Sequence, residues 1–256
     1  MDAASDDHAH RRTALGVGMT ALMAGIRPAH AQSPGAARVP GHVVLLGDSV
    51  FDNAGYLRGS GPDLLAQLGP RLSTGWQATR LARGGSVASD VSGQLGLLPR
   101  DATHLVISAG GNDAGRREAV LGEAARSVAE GLGRIAAIRE EFVRSYGAML
   151  DAALGRGLPV AVCTIYDPRF PDPGRRRVSI VALAALNDVI TREAFARGIA
   201  LLDLRLVCDR EEDFAGPTGP SVRGGVRIAA EIARWTAERR SASRRSEVFA
   251  GRSGAG

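Results

Sequence analysis

His42-Val43-Val44-Leu45-Leu46-Gly47-Asp48-Ser49 is the stretch that decides the fold. Five β-favouring residues run without polar alternation, which marks a strand buried on both faces of a sheet. The run stops at a glycine, and a polar pair follows. Four more short candidate strands recur downstream: Trp76 to Leu81, Leu105 to Ser108, Val160 to Ile165 and Ile199 to Leu204. Between them lie stretches with helical spacing. Leu64, Leu65, Leu68 and Leu72 follow Pro62-Asp63, a good helix start. A long helical stretch covers Arg116 to Leu154, with a break expected near Gly131 to Arg134. Val178, Val181, Ala185 and Val189 mark one face of another helix, and Val226 to Ala237 makes the last. Strand alternating with helix predicts an α/β protein: a parallel sheet covered by helices on both faces.

In such sheets ligands bind beyond the carboxyl ends of the strands. Those ends read Gly47-Asp48-Ser49, Gly84-Gly85-Ser86, Gly110-Gly111-Asn112-Asp113 and Tyr166-Asp167-Pro168-Arg169, followed by the segment after Arg205. Three are glycine-rich and polar, as expected where backbone approaches a ligand closely. Ser49 sits at a sharp turn into a helix-like segment, where its own N–H can stabilise an oxyanion. Asn112 can offer its amide to the same point, and a backbone N–H after the second strand can be a third donor. Taken singly, Ser49 reads as a helix cap and Asn112 as a turn residue. Their placement at neighbouring strand ends is what points to acyl transfer.

Gly47-Asp48-Ser49-Val50-Phe51-Asp52-Asn53 resembles the nucleophile block of the SGNH/GDSL hydrolase family, and Ala109-Gly110-Gly111-Asn112-Asp113 resembles its asparagine block. The resemblance spans roughly residues 42 to 237. It implies a flavodoxin-like α/β/α sandwich with a five-stranded parallel sheet ordered 2-1-3-4-5. It also implies that Ser49 is the nucleophile, with its N–H and the Asn112 side chain in the oxyanion hole. The family's oxyanion glycine falls between Gly84 and Asp90; the alignment puts Ser89 there, with Gly85 the alternative. No cofactor and no metal are implied, and a small-molecule ester or acylated carbohydrate is the expected partner.

One block departs from the family. Its usual Asp-x-x-His precedes Pro-Ser near the last helix; here Pro220-Ser221 is present, but the two catalytic positions read Gly216 and Gly219. His42 and His104 begin strands, so each lies roughly 20 Å from the strand's other end, by the rise per residue. His8, His10 and His30 fall in the N-terminal region. A serine without a base is a poor nucleophile. Asp167, Tyr166, Glu212 and Asp213, in strand-end loops, are the candidate bases or cleft-lining groups. Two functions follow. One is an ester hydrolase with an unconventional base. The other is an impaired or inactive module that binds an ester, carboxylate or carbohydrate, with Arg169, Arg205 and Arg223 as ligand contacts.

The ends of the chain read differently from its middle. Arg11-Arg12, an apolar run from Ala14 to Ile26 and Ala29-His30-Ala31 read as a twin-arginine export signal, residues 1–31, cleaved before Gln32. The run has about 13 residues, short of the roughly 20 that span a bilayer. Export to the periplasm or medium is the expectation. Residues 32–41 read as a linker, 42–240 as the hydrolase-like domain and 241–256 as a disordered basic tail. The chain has 256 residues, 45% hydrophobic, with a net charge of +5. All basic residues except histidine are arginine, and five Arg against two Glu after Trp235-Thr236-Ala237 supply +3 of that charge. With aromatic residues scattered, no nucleic-acid surface is expected. Cys163 and Cys208 are the only cysteines, and no Cys/His spacing suits zinc.

Overall fold

The computed structural model describes residues 40–238 and 246–251. The chain divides into two units, Met1–Ala37 and Arg38–Gly256, and the described residues belong to the second. The export signal, nearly all of the linker and most of the tail therefore lie outside the described residues.

Six parallel strands form one sheet in the order β2-β1-β3-β4-β5-β6. They are β1 His42–Gly47, β2 Gln77–Arg80, β3 His104–Ser108, β4 Val160–Cys163, β5 Ala200–Leu202 and β6 Val248–Phe249. The first five have the order expected. The sixth corrects the expected five-stranded sheet: Leu201 and Leu202 pair with Val248 and Phe249 inside the stretch read as a tail. The short pair occupies the open edge of β5 and buries Phe249.

Among the described residues eight α-helices connect the strands: α1 Ala54–Leu57, α2 Leu64–Leu68, α3 Val91–Leu95, α4 Gly111–Gly115, α5 Val128–Leu154, α6 Pro173–Arg197, α7 Leu204–Val207 and α8 Val222–Glu238. Alternate residues of each strand point to opposite faces. Val43, Leu45, Val106 and Ala161 pack with Leu64 and Leu68 of α2 and Ile228, Ile232 and Trp235 of α8. Val44, Leu46, Leu105 and Ile107 pack with Leu95 of α3, Phe142 and Leu150 of α5 and Ile190 of α6. The result is a three-layer α/β/α sandwich. Both cysteines are buried free thiols, and burial pushes that of Cys208 up to about 12.

Two helices differ from expectation. The break in the long helical stretch comes before Gly131: Ser127 caps α5 by accepting from the Glu130 N–H at 3.1 Å. Arg134 then bridges Glu123 and Glu130, so both glycines stay helical. In α6 the buried side chains include Ser179, Leu186, Val189, Ile190 and Ala194, whereas Val178 and Val181 are 45% and 67% exposed. Among the described residues no helix is long and apolar enough to cross a membrane.

Candidate active site

The turn after β1 is fixed from all sides. Gly47 has φ +110°, and a Cβ there would overlap the carbonyl oxygen of Ser108; only glycine lets β1 leave the sheet so close to β3. The Asp48 N–H donates to Ser108 O at 3.0 Å. The Asp48 carboxylate accepts from the Val50 N–H at 3.0 Å and from Ser108 Oγ at 3.1 Å. Burial raises the Asp48 carboxyl to about 7. This brace holds Ser49, half-buried, at the wall of a cavity.

Beside it stands a residue that the sequence reading passed over. Tyr56 Oη donates to Ser49 Oγ at 3.2 Å. Tyr56 lies in the single turn of α1, and its ring packs against Gly219, where any Cβ would overlap it. Gly219 belongs to a tight loop that is pinned repeatedly. Phe214 and Pro220 form an antiparallel bridge, and the Ala215 N–H donates to Gly219 O at 2.9 Å. The Arg169 N–H donates to Pro217 O at 2.7 Å, and Tyr166 Oη donates to Thr218 O at 2.5 Å. Asn53, fully buried, ties this loop to the segment after β1: its amide donates to Pro220 O at 3.4 Å, and its oxygen accepts from the Leu64 N–H at 2.9 Å.

Asn112 also lines the cavity. Gly110, at φ +119°, turns the chain from β3 into α4 and sets Asn112 on the cavity. Asn112 Nδ2 donates to Ser86 O at 2.8 Å, drawing the segment Gly84–Ser86 to the site. There a Cβ on Gly84 would lie 3.9 Å from Ser49 Cβ. The Gly84 N–H itself is taken by Asp52 Oδ2 at 2.9 Å. Gly85, at φ +82°, is the next residue, with its carbonyl 3.4 Å from Arg116 Nη2. Ser89 falls further on, exposed in the 3₁₀ turn Ala88–Asp90. Neither Ser89 nor Gly85 lines the cavity; the atom of this segment that meets Asn112 is the Ser86 carbonyl.

The cavity has a volume of about 340 Å³. Ser49, Tyr56, Asn112, Tyr166 and Thr218 line one end. It continues between α5 and α6 over Ile135, Ile138, Ala182, Leu183 and Leu186. At the rim Arg175 forms a two-pronged pair with Glu118, at 2.7 and 2.9 Å, and stacks on Phe170. That interaction lowers the Glu118 carboxyl and raises the Arg175 guanidinium.

None of the candidate bases read from the sequence hydrogen-bonds Ser49. Asp213 is fully buried away from the cavity, paired with Arg227 at 2.6 Å and accepting from the Arg210 N–H at 3.1 Å. Glu212 is exposed and faces Arg223 at 3.5 Å. Asp167 does not line the cavity. Tyr166 does, but its hydroxyl is spent on Thr218, and burial raises it far above the ordinary phenol range. His42, at the start of β1, bonds Asp101 and Thr79, while His104 packs tilted against Trp76 and edge-on against Trp235. The arginines of the binding reading are also paired: Arg205 with Asp203 at 2.6 Å, Arg223 with Glu212, and Arg169 with the Asp209 carbonyl at 2.8 Å. Among the described residues no cluster of three or more His, Cys, Asp or Glu could hold a metal ion.

A three-layer sheet with a serine at the end of β1 and an asparagine at the end of β3 defines a class of hydrolase. The chain belongs to the GDSL-like Lipase/Acylhydrolase family, whose model matches residues 45–226. Solved structures share the fold at low identity. An extracellular lipase from Streptomyces rimosus is 18% identical, with 76% of this chain and 99% of that chain covered at a TM-score of 0.53. A phospholipase A1 from Streptomyces albidoflavus NA297 is 20% identical, covering 77% and 99% at a TM-score of 0.52. An acetyl xylan esterase, AlAXEase, is 17% identical, covering 77% and 99% at 0.55. No curated protein matches the chain.

Proposed function

We propose that this chain is an exported hydrolase of carboxylic esters that forms an acyl-enzyme on Ser49. The observation that carries the reading is the position of Ser49: at the wall of a largely apolar cavity that Asn112 also lines, with Gly84 close by. The ester carbonyl lies over Ser49. Its oxygen receives the Ser49 N–H, the Gly85 N–H and the Asn112 amide as charge develops, which is where fixed donors lower the barrier most. The acyl chain lies between α5 and α6, where Leu183 and Ile138 offer apolar surface. The alcohol portion, simple or carbohydrate, faces solvent near Tyr56. Export rests on the Arg11-Arg12 leader and the cleavage site before Gln32.

Hydrolysis of p-nitrophenyl acetate and octanoate by the chain from Gln32 tests this. Turnover that disappears in Ser49→Ala is expected. The glycines at 216 and 219 favour a second reading, a module that binds an ester without turning it over. Wild-type protein as inert as Ser49→Ala, with both still binding the ester, would establish that reading instead.

A further inference from the structure

Tyr56 and Gly219 occupy one space. Gly219 is where the family's histidine would fall, and the ring of Tyr56 lies where a side chain at that position would begin. The ring carries a hydroxyl to Ser49 Oγ, at 3.2 Å. Among the other candidate bases none makes a hydrogen bond to Ser49. From this geometry we propose that Tyr56 is the proton carrier of the reaction, a catalytic phenol in the place of the absent imidazole. The proposal rests on the ester-hydrolase reading of Ser49.

The steps balance with a neutral phenol. In acylation Ser49 Oγ bonds to the ester carbonyl carbon. The Oγ proton passes to Tyr56 Oη as the phenol's own proton passes to the departing alkoxide oxygen, and the carbon–alkoxide bond breaks. In deacylation water bonds to the acyl carbon. One water proton passes to Tyr56 Oη while the phenol proton returns to Ser49 Oγ, and the acid leaves. Tyr56 ends each step as it began, so no charge is left in the apolar cavity. A hydroxyl both gives and accepts and can rotate between the two roles. The separation is long for two hydroxyls, as catalytic contacts often are before substrate binds.

Three features hold the phenol in place. The Tyr56 N–H donates to Asn53 O at 3.0 Å, fixing the turn of α1. Asn53 in turn holds Pro220, and the loop from Phe214 to Pro220 backs the ring. That loop contributes no titratable group. The titratable groups around Tyr56 are Asp48 and Asp52 on the nucleophile turn, Asp52 being paired with Arg80 at 3.1 Å, and Tyr166 across the cavity. Arg58 caps the C-terminal end of α1.

Tyr56→Phe removes the hydroxyl and leaves the ring on Gly219, so the fold is retained and is checked by circular dichroism. For ethyl butyrate, whose leaving alkoxide needs the phenol's proton, the expected result is a fall in kcat of about 10²- to 10⁴-fold, with KM nearly unchanged. Replacing Tyr56 by 3,5-difluorotyrosine, a more acidic phenol, should move the alkaline limb of kcat/KM to lower pH. The same limb should stay where it is in Asp48→Asn. Tyr56→Phe within about threefold of wild type, with Ser49→Ala inactive, would overturn the role of Tyr56 and leave the hydrolase reading standing. Wild-type protein with no turnover above Ser49→Ala would overturn both.

Discussion

The ring of Tyr56 fills the space above Gly219 Cα, and its hydroxyl meets Ser49 Oγ at 3.2 Å. The two residues are far apart in the chain and are brought together by the Asn53 amide on Pro220. Glycine at 219 is thus a packing requirement and not merely the loss of a side chain. Gly219→His should be strained and destabilised by about 1–3 kcal/mol through overpacking. The same change in a Tyr56→Gly background should cost much less. Thermal unfolding of the single and double variants measures the difference.

Asn53 is the buried link between the nucleophile block and that loop. Asn53→Ala leaves the Leu64 N–H and the Pro220 carbonyl without their partner. A loss of about 1–3 kcal/mol follows, readable by urea denaturation. Since the loop backs Tyr56, kcat should fall more than KM rises.

Asp48 sets a pH dependence of stability. Burial holds its carboxyl near 7 in the folded protein, against 3.8 for an ordinary aspartate. Between these values the folded state keeps a proton that the unfolded state has lost. Stability contributed by this group therefore falls as pH rises from about 4 to about 7, and is level above. The fall amounts to up to about 4 kcal/mol. Asp48→Asn keeps an acceptor for the Val50 N–H and Ser108 Oγ and does not titrate. Urea denaturation of both proteins at pH 4.5 and pH 8 should show the variant gaining on wild type at the higher pH.

Leu183 lines the cavity between α5 and α6. Leu183→Trp shortens it. Activity on p-nitrophenyl octanoate should drop by about tenfold or more, while acetate, which does not reach that far, changes little. Parallel loss on both esters would place the acyl chain elsewhere.

How much of this was legible in the sequence follows from which forces are local. The runs of β1, β3, β4 and β5 announce themselves because a strand buried on both faces must be largely apolar, whereas β2, at the sheet's edge, is only half-buried. Ser49 and Asn112 were readable because both follow such strands. Val248–Phe249 was not, since two residues among arginines and serines carry no period, and only the open edge of β5 makes them a strand. The face of α6 was misread through Val178 and Val181, which stay exposed while Ser179 turns inward. Tyr56 carried a signal in hindsight: a tyrosine seven residues after the serine, matched by a glycine where a histidine was due. What joins the two is a tertiary contact, and neither residue implies it alone.

Catalysis by this chain requires Ser49 to be an activated nucleophile. Labelling of the folded chain from Gln32 with a fluorophosphonate, with the adduct mapped by mass spectrometry, tests that most directly. The account predicts a single adduct on Ser49, formed far more slowly in Tyr56→Phe. A folded chain that takes no label, or takes it elsewhere, would contradict it.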